Sequence, residues 1–162
     1  MSKNHKIQKA GVMKKIIFFI ISVLLATSTN ALEKTKEEKV AKFVLENIQK
    51  DYTSCYGFYR VASESFKKAK AEKSIIKGLE NSADITLKFS HDLGEVLNYK
   101  PQVMTDNNKK EIKKIAAMAK KDFNKLTQKY GILCKKLVEN QKQRIDYWEK
   151  EGNKKIKWKK IF

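Results

Sequence analysis

The chain has 162 residues, a length that suits one domain. Its 36 lysines and arginines stand against 18 aspartates and glutamates, for a formal net charge of +18 at pH 7. A hydrophobic fraction of 41% with one proline and six glycines excludes a disordered or collagen-like chain. So few turn residues also disfavour an all-β sandwich or barrel. The sequence contains no glycine-rich phosphate-binding motif.

Residues 1–31 have the layout of a cleaved signal peptide. Five lysines and no acidic residue precede an apolar run over 16–26, and small polar residues follow it. The run is 11 residues long, whereas a membrane-spanning helix needs about 20, so a retained anchor is the less favoured alternative. We expect cleavage after Ala31, with 26–28 as a competing site, and release into the periplasm or the medium. Either Met1 or Met13 fits as the first residue, because Met13 directly precedes two lysines and the apolar run.

A first long helix is predicted from Glu33 to about Ala71. Apolar side chains recur there at intervals of three or four residues, the period of an amphipathic helix. Gly57 lies inside this stretch, where glycine costs about 1 kcal/mol relative to alanine, so it indicates a close helix approach or a kink. The alternative is a new helix beginning at 51–54, where aspartate, threonine and serine could cap it.

A second apolar stripe predicts a helix over about 74–98. It ends before Pro101, because proline disfavours helix at the residue that precedes it. A third helix is predicted to begin with capping side chains at 105–107 and to end at Gly152. Its apolar residues follow the heptad spacing of a coiled coil: Ile112, Ala116, Ala119, Phe123, Leu126, Tyr130, Leu133 and Leu137.

Three amphipathic helices with short connections bury their apolar faces most simply by packing side by side in an antiparallel bundle. The predicted fold is therefore all-α, a three-helix up-down-up bundle over 32–151. Its first and third helices are long and run parallel to each other. The signal peptide precedes this bundle, and a basic aromatic tail over 152–162 follows it.

The two cysteines, Cys55 and Cys134, are predicted to form a disulfide. Both fall on the apolar sides of their helices, and an exported chain meets an oxidising compartment. Parallel first and third helices would place both near mid-bundle, with a residual offset of about 9 Å. Two buried reduced thiols are the alternative.

Residues for common catalytic chemistry are scarce in this sequence. His91 is the one histidine outside the signal peptide, and its neighbour Asp92 would point about 100° away on a helix. Zinc needs three or four ligands, which one histidine and two cysteines that are predicted to be bonded to each other do not supply. We therefore expect no catalysis, no cofactor and no metal site, with His91 a surface or boundary residue.

Two features could bind a partner. Aromatic residues cluster around Cys55 and Gly57 and could line a groove, although core packing is the simpler interpretation. The second feature is the basic tail, which contains five lysines and no acidic residue. Such cationic aromatic segments attach to anionic surfaces. The candidate surface-binding residues are Lys154, Lys155, Lys157, Trp158, Lys159, Lys160 and Phe162.

Two functional hypotheses follow. The first is an exported helical protein with a non-catalytic binding, adaptor or structural role toward an envelope protein. The second is a cationic binder of anionic lipid, lipopolysaccharide or nucleic acid through the tail; nucleic acid is the least expected, and peripheral membrane contact fits the segment. Codons rich in A and T also favour lysine, so an even shell of lysines would indicate codon composition, whereas one continuous basic face would indicate binding.

Overall fold

The chain is helical through almost all of the part that the structure describes. The computed structural model describes residues 35–156, so the predicted signal peptide over 1–31 lies outside the described residues. Within 35–156 the chain forms five helices and no strand, which confirms the predicted all-α class. In chain order the helices are α1 (Lys36–Lys68), α2 (Lys73–Val96), α3 (Pro101–Lys121), α4 (Phe123–Glu139) and α5 (Gln141–Lys155).

Helix α1 is the central element of the fold. It begins with a capping box, in which the Thr35 hydroxyl accepts a hydrogen bond from the Glu38 amide and the Glu38 carboxylate accepts one from the Thr35 amide. The helix then continues unbroken to Lys68, so the alternative start at 51–54 is not formed. Because α1 packs against each of the other four helices, its middle turns are buried on most sides.

Helix α2 returns antiparallel to α1 after a short turn. In that turn Lys70 adopts a left-handed conformation with φ of 54°. Close to the turn, Lys67 and Glu80 form an ion pair at 2.8 Å. Farther along, Gln49 Nε2 donates a hydrogen bond to Ser90 Oγ at 3.1 Å. Residues later in α2 therefore contact residues earlier in α1, so the two helices are antiparallel.

The predicted third helix is divided into three. Asp122 (φ −162°, ψ 97°) and Asn140 (φ −143°, ψ 65°) have non-helical backbones that interrupt it. The Asp122 carboxylate accepts a hydrogen bond from the Lys125 amide at 2.9 Å, and Asn140 Oδ1 accepts one from the Gln143 amide at 3.2 Å. Each interrupting residue is thus the N-cap of the next helix. Five helices replace the predicted three, and the three-helix up-down-up bundle is wrong.

Helix α3 runs parallel to α1 before the chain reverses at Asp122. Ser54 donates a hydrogen bond to Glu111 at 2.8 Å, and one turn later on both helices Gly57 meets Ile115. A Cβ on Gly57 would lie 3.0 Å from Ile115 Cδ1. Gly57 therefore marks a close helix approach, the first of the two interpretations left open for it.

Helices α4 and α5 together return along α1. The rings of Phe66 and Phe123 pack at 6.4 Å between centroids near one end, and those of Phe43 and Trp148 at 6.1 Å near the other. Residues later in α4 and α5 contact residues earlier in α1, so both helices are antiparallel to α1. The architecture is up-down-up-down, and its fourth segment consists of two helices joined at Asn140.

Both predicted ends of the third helix are also corrected. Helix α3 begins at Pro101, ahead of the expected caps at 105–107, because proline suits the first helical position, where its missing amide is not needed. Gly152 is buried inside α5 and does not end it. A Cβ there would lie 3.0 Å from Phe43 Cδ1 and 3.2 Å from Val40 Cγ1, so this glycine allows α5 to pack closely on α1.

A glycine with open space around it gives a prediction about stability. No atom lies within 4 Å of a Cβ added at Gly78 in α2, so Gly78→Ala should stabilise the fold by about 0.5–1 kcal/mol through helix propensity. Gly152→Ala should not, because its Cβ would press on Val40 and Phe43. Urea unfolding of the two variants measures the difference, and equal gains at both sites would contradict the packing described for α5.

Candidate functional site

Cys55 and Cys134 lie at disulfide distance in the centre of the molecule. Their sulfurs are 2.07 Å apart, their Cα atoms are 5.4 Å apart, and both residues are fully buried. The predicted pair is confirmed, but the geometry used to predict it is wrong. Cys134 lies on α4, which is antiparallel to α1, whereas the expected partner helix was parallel. The bond therefore joins the first and fourth segments of the bundle across its core.

The aromatic cluster around Cys55 is mainly part of the core. Tyr52 and Phe58 are buried, and the Phe58 ring stacks with Tyr130 of α4 at 6.2 Å between centroids. Tyr59 is half-buried against the same cluster. These contacts favour the core-packing interpretation over an aromatic groove.

A buried charge cluster fixes α5 on α1. The Asp51 carboxylate, 7% exposed as a residue, accepts hydrogen bonds from Arg144 Nε (2.6 Å), Arg144 Nη2 (3.0 Å) and Trp148 Nε1 (2.7 Å). The guanidinium also lies 4.6 Å from the ring centroids of Tyr147 and Trp148. Three donors, one pair of them bidentate, satisfy a carboxylate that has been withdrawn from water. Sequence reasoning missed this cluster, because Asp51 is more than 90 residues away from Arg144 and Trp148.

A second contact joins the start of α5 to the same part of α1. Gln141 Nε2 donates a hydrogen bond to the Tyr52 hydroxyl at 3.1 Å. Burial raises the pKa of the Tyr52 hydroxyl above its ordinary value, and the neighbouring charge of Asp51 raises it further. The hydroxyl thus joins two helices as a hydrogen-bond acceptor.

The first residues of the basic tail lie at the end of α5. Lys154 forms an ion pair with Glu151 at 2.7 Å, and this contact raises the pKa of Lys154 and lowers that of Glu151. Lys155 Nζ lies 5.4 Å from the centroid of the Phe43 ring. Both lysines are exposed and sit beside the N-terminal turns of α1. The other predicted surface-binding residues lie outside the described residues: Lys157, Trp158, Lys159, Lys160 and Phe162.

Lysines are concentrated on α3 and α4. These two helices carry ten lysines against three acidic residues, whereas α2 carries three lysines against four acidic residues. All ten are exposed. We call this set the lysine face: Lys109, Lys110, Lys113, Lys114, Lys120, Lys121, Lys125, Lys129, Lys135 and Lys136.

The lysines of α3 fall on one side of that helix. At about 100° per residue, its six lysines span an arc of about 140°. Met104 and Ile115, which are buried, fall outside this arc, where Met104 meets Gly94 of α2 and Ile115 meets Gly57 of α1. The sequence contains a signal that was overlooked here. Lys-Lys pairs recur at 109–110, 113–114 and 120–121, at intervals of four and seven residues that match helical turns.

Acidic neighbours neutralise little of the lysine face. In the part of the chain that the structure describes, Lys114 is the member with an acidic partner within ion-pair distance, Glu111 at 2.8 Å. Glu111 is half-buried and also accepts the hydrogen bond from Ser54, so it is held toward α1. The remaining charge points to solvent, where it can attract an anionic partner.

His91 joins two helices. Its Nε2 lies 3.1 Å from Asn108 Nδ2 of α3, and Asn108 is buried with no hydrogen-bond partner for Oδ1 among the described residues. The adjacent Asp92 instead pairs with Lys88 at 2.6 Å. His91 and Asp92 therefore face different neighbours, as their adjacent positions on a helix predict.

The structure offers neither a metal-binding group nor a membrane-spanning helix in the range it describes. Among residues 35–156, histidine, cysteine, aspartate and glutamate side chains form no group of three that could hold a metal ion. Over that same range, the helices fall short of the length and apolar character needed to cross a bilayer.

Comparisons with known proteins give no guide to the function. No protein-family model, curated protein or solved structure matches this chain. What the molecule can do therefore has to follow from its own side chains.

Proposed function

We propose that the chain is an exported, non-catalytic protein that binds an anionic partner in the cell envelope. The observation that carries this proposal is the uneven distribution of lysines among the helices. Codon composition alone would enrich all helices alike, yet α2 has slightly more acidic than basic residues while α3 and α4 have a large lysine excess. Charge concentrated on one pair of helices favours binding as its explanation.

The use of the interior polar groups supports a non-catalytic role. Asp51 is saturated by Arg144 and Trp148. The hydroxyls of Thr53 and Ser90 lie 2.7 Å apart and form a hydrogen bond between α1 and α2. Catalytic groups need access to a substrate and a poised protonation state. These buried groups are instead engaged in contacts between helices.

Export fits the position at which α1 begins. Cleavage after Ala31 would leave Leu32 as the first residue, three residues before the Thr35 N-cap. The cut would therefore fall outside α1 and leave its capping box intact. An oxidising destination also suits the Cys55–Cys134 pair.

The proposal is tested on protein expressed from the full chain with its own leader. We expect a product in the periplasm or medium that begins at Leu32 and binds a heparin column, with elution as salt rises. Intact-mass measurement and N-terminal sequencing define the cleavage site. A product that keeps residues 1–31, or one that passes through heparin as freely as through an uncharged column at low salt, would contradict the proposal.

A second candidate role places binding in the basic tail. Helix α5 packs on α1 at Gly152, so its last turn lies beside the first turns of α1. Lysines with tryptophan and phenylalanine suit a lipid interface. Deleting residues 157–162 removes three lysines, so this role predicts a loss of binding to anionic vesicles on the order of 100-fold. Unchanged vesicle binding after the deletion would rule it out.

A further inference from the structure

We propose that the lysine face of α3 and α4 is a docking surface for anionic lipid headgroups. This inference rests on the proposed function, since it names the partner class and the side of the molecule that meets it. Helices α3 and α4 are adjacent in the fold and joined by Asp122 alone. The lysine face therefore extends along two neighbouring helices, which can contact a planar surface together.

The dimensions of the lysine face suit a membrane surface. At 1.5 Å per residue, the lysines of α3 extend over about 18 Å, from Lys109 to Lys121. Those of α4 extend over about 17 Å in the reverse direction, from Lys125 to Lys136. A bilayer with anionic headgroups offers charge over the same distance in two dimensions. Each lysine near such a surface contributes about fivefold to binding.

The chemistry of the face favours lipid over nucleic acid. Recognition of bases in nucleic acid relies on bidentate arginine and on aromatic rings that stack with bases. Neither α3 nor α4 contains an arginine. The rings of α4 are turned to α1, where Tyr130 is buried and Phe123 packs on Phe66. Lysine ammonium groups act as point charges, which suffice for a headgroup layer.

An exposed apolar side chain lies among the lysines of α4. Ile132 is 59% exposed, and on the helix it lies one turn from Lys129, Lys135 and Lys136. An isoleucine surrounded by lysines matches the pattern of interfacial helices, in which the apolar group enters the headgroup layer while the charges remain at its surface. A soluble polyanion would make no use of this side chain.

The test compares two variants that lose the same charge. In the first, Lys113, Lys120, Lys129 and Lys136 of the lysine face are replaced by glutamine. In the matched control, the four replaced lysines are exposed ones on α1 and α2: Lys50, Lys68, Lys73 and Lys77. Binding is measured by co-sedimentation of the exported protein with phosphatidylcholine vesicles that contain about 30% phosphatidylglycerol.

We expect the lysine-face variant to bind anionic vesicles on the order of 500-fold more weakly than the unaltered protein, with little change in the matched control. Raising the salt from about 0.05 M to about 0.5 M should release the unaltered protein, because screening shortens the range of the charges. Circular dichroism shows whether both variants remain folded. Equal losses in the two variants would overturn the assignment of the face.

Other outcomes separate this inference from the proposed function. Protein that binds heparin but not anionic vesicles would overturn the lipid assignment and leave the proposed function standing, with a soluble polyanion as partner. Protein that binds neither would overturn both. Loss of vesicle binding on deletion of residues 157–162, with no loss in the lysine-face variant, would transfer the site to the tail.

Discussion

Replacing Cys55 and Cys134 together by alanine should lower the free energy of unfolding by about 4 kcal/mol. The bond closes a segment of 79 residues, and in the chain-entropy account a loop of that size confers about this much stability by restricting the unfolded state. Total stabilities are about 5–15 kcal/mol, so this loss would be a large share of the whole. Urea unfolding measures it as a fall in the midpoint of more than about 1 M.

Reduction of the unaltered protein provides the control for this variant. Dithiothreitol should lower the urea midpoint of the unaltered protein toward that of the double variant and leave the double variant itself unchanged. A midpoint that does not respond to dithiothreitol would mean that the two thiols are not bonded in the purified protein.

Asp51→Ala should cost about 3 kcal/mol. It leaves Arg144 and Trp148 without their buried acceptor, and removal of one member of a buried ion pair is strongly destabilising because the remaining charge is left uncompensated. The loss should be felt first in α5, which the cluster holds on α1. Urea unfolding gives the magnitude, and hydrogen exchange of α5 amides should show where the structure opens.

Asp146→Ala is the matched control on the same helix. Asp146 pairs with Lys142 at 3.1 Å, but more than half of each side chain is exposed to solvent. Such pairs contribute little, so this variant should unfold within about 0.5 kcal/mol of the unaltered protein. Equal losses at Asp51 and Asp146 would contradict the buried character of the first cluster.

The helical class and the apolar stripes could be predicted from the sequence, but the path of the chain after Pro101 could not. The heptad spacing from Ile112 to Leu137 continues across Asp122 without a change of period. Helix α4 buries Leu126, Tyr130 and Leu137 of this stripe, whereas its α3 members Ile112, Ala116 and Ala119 are partly buried. Periodicity alone does not reveal that the chain reverses between the two helices. Asp122 and Asn140 are strong N-cap residues, and this was the available signal for the two breaks.

The cysteine pair shows how a correct contact can be inferred from a wrong topology. Both residues were placed on the apolar sides of their helices and near mid-bundle, and the structure buries both, Cys55 on α1 and Cys134 on α4. The direction of the helices affected the prediction only through the axial distance between the two cysteines, which is about 9 Å when the helices are parallel. Reversal at Asp122 removes this offset, because α4 passes Cys55 from the opposite direction.

The candidate site was predicted only in part. The tail could be predicted as a candidate site, because its lysines are close together in the sequence and no acidic residue lies among them. The lysine face was overlooked because its members are spread over 28 positions and become neighbours only when α3 and α4 form. Asp51 and Arg144 gave no sequence signal, because each resembles an ordinary surface charge until α5 packs on α1.

Lysine acetylation footprinting of the exported protein, with and without anionic vesicles, tests the central claim most directly. Mass spectrometry reports the labelling of each lysine separately, so one experiment compares the lysine face, the tail and α2. We predict that vesicles slow the acetylation of lysines from Lys109 to Lys136 and leave Lys73 and Lys77 unchanged. Equal protection of all lysines, or protection of Lys157, Lys159 and Lys160 alone, would contradict the account.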